Sequence, residues 1–333
     1  TSPERKKIGI VKNHTYISQQ LLGFLLGEEH EVVPVDVAEI SEELDVLILA
    51  GINEDLTEEE QRVFDQFVLS GKPVIAFIDG AVINAQDLSL AQNESNIIDM
   101  FNSYGVEITN TLAADFESHD TITYTDQGSQ LRKEYPLWVR PDTGINRSHP
   151  IASSIRTFTL PWSSELIVQD ENIQDLINTS NRGYAFNFEE LPNVSPETVF
   201  QPPVPSLDQK LLGVHINGEV SSHFENNESE QKNSGNADIV LVSSAHIVQD
   251  AFLRSSPANA LFIRNTVEFM AGGESLGELR SKSVIDRPLQ IKQSEKIEQK
   301  IKSISLSTGI FLAVGVVMIG LKKRRKKKFL QQI

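Results

Sequence analysis

DVLILAGINEDLTEEEQRVFDQFVLSGKPVIAFID, residues 45–79, decides the fold. It opens on DVLILAG at 45–51, an unbroken apolar run. A central strand of a parallel sheet is covered on both faces, so it reads as such a run and not as an alternation. LTEEEQRVFDQFVLSG at 56–71 has apolar residues at helical spacing. Thr57 is placed to cap that helix, Glu60 completes a capping box and Gly71 ends it. KPVIAFID at 72–79 is the next buried strand.

The same alternation extends towards the N-terminus. KKIGIVKN at 6–13 reads as a strand, ISQQLLGFLLGE at 17–28 as a helix and EVVPVDV at 31–37 as a strand. This order predicts an α/β fold with a doubly wound, mostly parallel sheet of flavodoxin-like type. Downstream, SNIIDMFNSYG at 95–105 reads as a helix capped by Ser95, and GVEITNTLAAD begins a further strand. Residues 117–165 are turn-rich, and ELIVQD and DLINTS within 164–180 suggest a strand pair. LLGVHING at 211–218 and VSSHF at 220–224 suggest a hairpin around Asn217-Gly218. ENNESEQKNSGN at 225–236 reads as a flexible polar loop, ADIVLVSS at 237–244 as a late buried strand and SPANALFIRNTVEFMAGG at 256–273 as a helix with a glycine stop. The expected organisation is one α/β domain over 1–280, with an insertion over roughly 106–210, then a polar stalk at 281–302.

The C-terminus predicts a membrane anchor. SISLSTGIFLAVGVVMIGL, residues 303–321, carries no charge. As a helix it spans about 28 Å, close to the hydrocarbon thickness of a bilayer. Seven cations follow at once: Lys322, Lys323, Arg324, Arg325, Lys326, Lys327 and Lys328. The positive-inside rule puts the basic tail, 322–333, in the cytoplasm and the main domain outside it. The expected location is the inner membrane, crossed once, with the cations on anionic lipid head groups. Because the chain begins at Thr1, a preceding signal or anchor is expected.

Charge excludes a nucleic-acid partner. Removing those seven cations from the 30 basic residues leaves 23 against 46 acidic ones, a net of −23. Such a body repels polyanions. The absence of cysteine excludes disulfides, thiolate metal sites and cysteine catalysis.

The residues resemble a known family. DVLILAGINEDLTEEEQRVFDQFVLSGKPVIAFID, YPLWVRPDTGINRSHPIASSI with TLPWSSEL, ADIVLVSSAHIVQDAF with NALFIRNTVEFMAGG, and the RSKSVIDRPL segment occur in this order. The chain resembles GldG-type proteins, auxiliary components of ABC transporters linked to gliding motility. That resemblance implies a class I glutamine-amidotransferase-like ectodomain outside the cytoplasm and a C-terminal membrane helix. It also implies an ABC permease and an ATPase as partners on separate chains. Family members usually carry an N-terminal membrane helix too, which is not in this sequence.

The chemistry of the amidotransferase fold is not carried over. Its elbow, roughly G-x-C-x-G, aligns with Ala76, Phe77, Ile78, Asp79 and Gly80. An isoleucine cannot attack a carbonyl, so glutaminase chemistry fails at its first step. His223-Phe224-Glu225 matches the partner pattern His-x-Glu, a triplet expected by chance in so acidic a chain. No phosphate-binding glycine loop is present, and the seven histidines are scattered without metal-ligand spacing. The expectation is a non-enzymatic protein without cofactor or metal. Asp115, Glu117, His119 and Asp120 cluster, but read as a solvated loop. Ser244 and His246 offer a hydrolase pair, without a G-x-S-x-G motif; Ser244 also reads as a cap for the next helix.

The remaining candidates concern contact. Tyr135, Trp138 and Trp162 gather both tryptophans in proline-rich segments, as an interface patch or as a cover over one end of the sheet. Gly51, Asn53, Asp79 and Gly80 stand at strand ends, where doubly wound sheets bind ligands. Six N-x-[ST] sequons, at Asn13, Asn93, Asn146, Asn178, Asn193 and Asn227, bear only on a eukaryotic source. A rival expectation is a structural subunit of a membrane glycosyltransferase complex, similar to the 48-kilodalton oligosaccharyltransferase subunit. The YPLW and HPIASSI segments favour the transporter family.

Overall fold

A computed structural model describes residues 5–272, apart from 85–86, 127, 171–172, 192, 202–205 and 225–230. The first half alternates strand and helix. β1 (Lys7–Val11), α1 (Gln20–Gly27), β2 (Glu31–Val35), β3 (Val46–Ala50), α2 (Glu58–Leu69) and β4 (Pro73–Phe77) follow one another. A short hairpin, β5 (Ala81–Ile83) and β6 (Leu90–Gln92), precedes α3 (Ile97–Ser103). Then come β7 (Val106–Ile108), β8 (Thr111–Asp115), β9 (His119–Asp126), β10 (Ser129–Val139), β11 (Leu160–Pro161), β12 (Leu166–Val168), β13 (Gln174–Asn178) and β14 (Gly183–Asn187). The described chain closes with β15 (Leu211–Ser221), β16 (Ser234–Val242), α4 (Asp250–Ser255) and α5 (Pro257–Met270).

Seven strands make the central sheet, in the order β13-β15-β16-β4-β3-β1-β2. β2, β1, β3, β4 and β16 run parallel. β15 is antiparallel to β16, and β13 is antiparallel to β15. The sheet is therefore mostly parallel, with an antiparallel extension at one edge. β3 shows why it sits in the middle: all five of its residues are buried. Val46, Ile48 and Ala50 pack on one face with Leu22 and Leu26 of α1 and Phe262, Ile263 and Val267 of α5. Leu47 and Leu49 pack on the other with Phe64 and Phe67 of α2 and Met100 and Phe101 of α3. Helices on both faces make the sheet doubly wound. The capping box of α2 forms as its sequence predicts, and Gly71 follows it at φ +81°.

Several expectations are corrected. Residues 117–165, expected as turns, contain the hairpin β9–β10, joined by β11 in a three-stranded sheet. Residues 129–134 are mostly exposed and charged or polar, so they carry no apolar alternation. The segments ELIVQD and DLINTS do not pair with each other: β12 pairs with β7, and β13 joins the edge of the central sheet. Asn217-Gly218 is not a turn, because it lies inside β15, opposite Asp238 and Ala237 of β16. The connection falls instead within 222–233. Ser95 does not cap α3; its hydroxyl donates to Asn93 Oδ1 at 2.8 Å. Among the described residues no helix is long and apolar enough to cross a membrane. The expected stalk, membrane helix and basic tail, 281–333, lie outside the described residues.

Candidate functional site

The parallel strands β1, β3, β4 and β16 are neighbours, so the loops after them meet at one edge of the sheet. Their side chains form a closed network there. The Tyr16 hydroxyl, after β1, donates to Asp79 Oδ2 at 2.7 Å. Asp79, after β4, accepts the Ala245 N–H at Oδ1, also at 2.7 Å. His246, after β16, places Nε2 3.1 Å from the Tyr16 oxygen and Nδ1 3.2 Å from Gln249 Oε1. The Tyr16 O–H is engaged with Asp79, so towards His246 Nε2 the Tyr16 oxygen offers a lone pair. Asp79 is 1% exposed and both its oxygens are engaged. Burial pushes its carboxyl above its ordinary value, against the lowering influence of His246, the Tyr16 hydroxyl and the Ala245 N–H. Burial, reinforced by the Asp79 charge and hydrogen bond, pushes the Tyr16 hydroxyl well above its ordinary value.

Aromatic rings extend the network. Trp162, held at φ +50°, meets His246 edge-on with ring centres 4.8 Å apart. Its indole N–H donates to the Tyr135 hydroxyl at 3.0 Å, and Tyr135, fully buried, donates to the Val194 carbonyl. Trp138 makes edge contacts with Tyr135, Trp162 and Phe252 at 5.6, 5.7 and 5.2 Å. Gly80 closes the corner: its N–H donates to Ser164 Oγ at 3.1 Å. A Cβ there would stand 2.3 Å from the Thr109 carbonyl oxygen, so only glycine fits. Asp79, Tyr135, Trp138 and Trp162 thus join one continuous cluster with Gly80 beside it. Tyr16, which links the carboxylate to the histidine, carries no catalytic or ligand-binding signal in the sequence: it follows Asn13, His14 and Thr15, which form only a sequon.

Two other polar clusters occur, one at the same end of the sheet and one at the opposite end, where Asp238 pairs with Pro73 at the start of β4. At the switch point between β1 and β3, His14 adopts φ +58° and places Nε2 2.9 Å from Glu60 Oε1. Asn13 Nδ2 donates to the same oxygen at 3.1 Å. The second cluster is a chain of three side chains. The Ile151 N–H points to His149 Nδ1 at 3.3 Å, His149 Nε2 lies 3.0 Å from His215 Nδ1, and His215 Nε2 lies 2.8 Å from Asp238 Oδ1. Neutral histidines satisfy every contact in that chain. Burial, with His215 alongside, lowers His149 to about 4, against the pull of Asp238.

The remaining sequence candidates are structural in their contacts. The Ser244 hydroxyl donates to the Pro161 carbonyl at 2.6 Å and makes neither a helix cap nor a bond to His246. His223 meets Ser103 Oγ at 2.7 Å and its N–H donates to Asp65 at 3.0 Å, whereas Asp79 is held by Tyr16 and Ala245; Glu225 lies outside the described residues. Asp115 is not on a solvated loop. It is fully buried and accepts from Glu117, Ser118 and Ser180. Among the described residues no group of acidic and histidine side chains could hold a metal ion.

A family model described as an ABC-type uncharacterized transport system matches residues 5–272. The chain belongs to that family. It is accordingly an auxiliary component of an ABC-type transport system. No curated protein matches the family member's sequence significantly. Among solved structures it is similar to the mmIFT52 N-terminal domain, with 13% identity and a TM-score of 0.53 over 80% of this chain and 98% of that one. It is also similar to a putative ThuA-like protein from Bacteroides uniformis, with 12% identity and a TM-score of 0.45 over 81% of this chain and 92% of that one. A putative ThuA-like protein from Parabacteroides merdae gives 14% and 0.41 over 81% and 91%. At these identities the likeness to the first shows a shared fold alone.

Proposed function

We propose that this auxiliary component is a non-enzymatic, membrane-anchored subunit of GldG type whose α/β domain stands outside the cytoplasm and contacts the transporter's permease. ATP hydrolysis belongs to a separate chain, because this sequence has no phosphate-binding loop. The observation that carries the reading is the family match over 5–272. The uncharged stretch 303–321 and the seven cations after it support the anchor and its orientation. Ile78 at the elbow supports a domain without amidotransferase chemistry, and so does the closed bonding of Asp79. A carboxylate with both oxygens engaged and almost no exposure is poorly placed to exchange protons with a substrate.

Cross-linking mass spectrometry on the full chain in native membranes tests this. The reading expects links between residues 5–272 and extracytoplasmic loops of a polytopic permease. Links only to cytoplasmic proteins would refute the orientation, and links to glycosyltransferase subunits would refute the transporter role.

A further inference from the structure

A groove of about 610 Å³ runs beside α2, between that helix and the segment that leads from β2 into β3. Ile40 of the connecting segment and Val63 and Phe67 of α2 give it an apolar lining. Ile40 packs against the same core cluster that holds Phe67, so this lining continues the core to the surface. Ile40 and Val63 are only half-buried. Glu59, Val63 and Phe67 follow one another at four-residue spacing, a stripe of α2 that passes from charged to apolar.

Charge along the groove is one-sided. Glu42 and Glu59 line it, are exposed, and make no hydrogen bond or ion pair through their side chains with a described residue. The one cation among the lining residues is Arg62, and it is already engaged. Its guanidinium donates to Glu58 Oε1 at 3.2 and 2.9 Å and to Gln231 Oε1 at 3.3 Å, and it stacks over the Phe224 ring at 4.2 Å. Acidic residues in the first turn of a helix suit its dipole, which accounts for Glu59. That argument does not reach Glu42, which is outside the helix, or the apolar lining between the two.

A small-molecule site buries most of its ligand, whereas this groove is open to solvent along its length. An amphipathic segment of a protein needs no more than that: its apolar side chains lie in the groove and its charges meet the rim. We propose that the groove docks a cationic amphipathic segment of a partner protein, with apolar side chains on Ile40, Val63 and Phe67 and Lys or Arg on Glu42 and Glu59. A second copy of this chain is the wrong occupant, because it carries the same net charge of −16 and like charges oppose contact at such a rim. Anionic lipid is excluded on the same ground. The inference stands on the groove alone and holds whether or not the partner is a permease.

Site-specific photo-crosslinking with the full chain in its native membranes tests the proposal. The photoreactive amino acid p-benzoylphenylalanine is introduced at Val63 in one variant and at Ile40 in another, and the captured peptide is sequenced by mass spectrometry. Both positions are expected to capture one segment of another protein, with at least two Lys or Arg among apolar residues. Adding Glu42→Gln together with Glu59→Gln is expected to lower the yield ~3–10-fold, as the loss of two exposed ion pairs would. A control pair, Glu29→Gln with Glu117→Gln, removes the same charge at exposed positions outside the groove and should leave the yield unchanged. Capture from neither position would overturn the proposal. So would capture of lipid, of this chain itself, or of an acidic or uncharged segment, and so would a yield that ignores Glu42 and Glu59 or falls equally in the control. A basic segment from a protein other than a permease would support the groove's proposed role and count against the permease as its occupant.

Discussion

Asp79 is the residue on which three loops converge, and its replacement measures how much they depend on it. Asp79→Ala would strand the Tyr16 hydroxyl and the Ala245 N–H at a buried site, each unmade bond costing ~1–3 kcal/mol. Denaturant unfolding should show that loss, and a smaller one in Asp79→Asn, which keeps an acceptor for Ala245. An Asp79→Ala protein as stable as the parent would remove Asp79 as the anchor. His149 makes a second claim, in pH. Its folded value, about 4, lies below the ordinary histidine value, so the folded state holds fewer protons between the two. Stability contributed by neutral His149 is present above the ordinary value and is lost as pH falls through that window. His149→Gln should flatten the slope of unfolding midpoint against pH there. An unchanged slope would contradict the buried neutral histidine. Asp79 acts with the opposite sign, since its raised value makes the folded state less stable as pH rises through it. The variant must therefore be compared with the parent, not with a theoretical curve.

The elements show why part of the molecule was legible in its sequence. β3 and β4 are apolar throughout because helices cover both faces, and α2 announces its start through Thr57 and Glu60. Glu60 also holds His14 and Asn13, so the cap of α2 is tied to the loop after β1. Thr57→Ala should cost about 1 kcal/mol, the usual worth of a cap. Glu60→Ala should cost more, because it also releases His14 and Asn13. Equal losses in chemical denaturation would separate the cap from the loop. Legibility fails where solvent takes over. β9–β10 runs through exposed polar positions, and the outer half of β15 alternates exposed and partly buried residues beyond the core. There Asn-Gly looks like a turn, yet pairing with β16 continues past it to Ser221. The site follows the same division. Asp79 and Gly80 were visible as strand-end residues and the tryptophans as a composition feature. Their connection through Tyr16 and His246 joins residues 230 positions apart, which no local pattern encodes.

At the scale of the whole molecule, the turn after β4 begins with the fully buried Ile78, an aliphatic side chain with no nucleophile to offer. The carboxylate next to it is committed to internal bonds. The family ties the chain to an ABC-type transport system, and the role proposed for the domain within it is contact. The measurement that bears on this most directly is gentle solubilisation of the full chain from its native membranes, followed by mass spectrometry of the co-purifying proteins. The account predicts a polytopic permease together with an ABC ATPase, both reproducibly recovered with the tagged chain and absent from an untagged control. Recovery without either, or with glycosyltransferase subunits in their place, would contradict it.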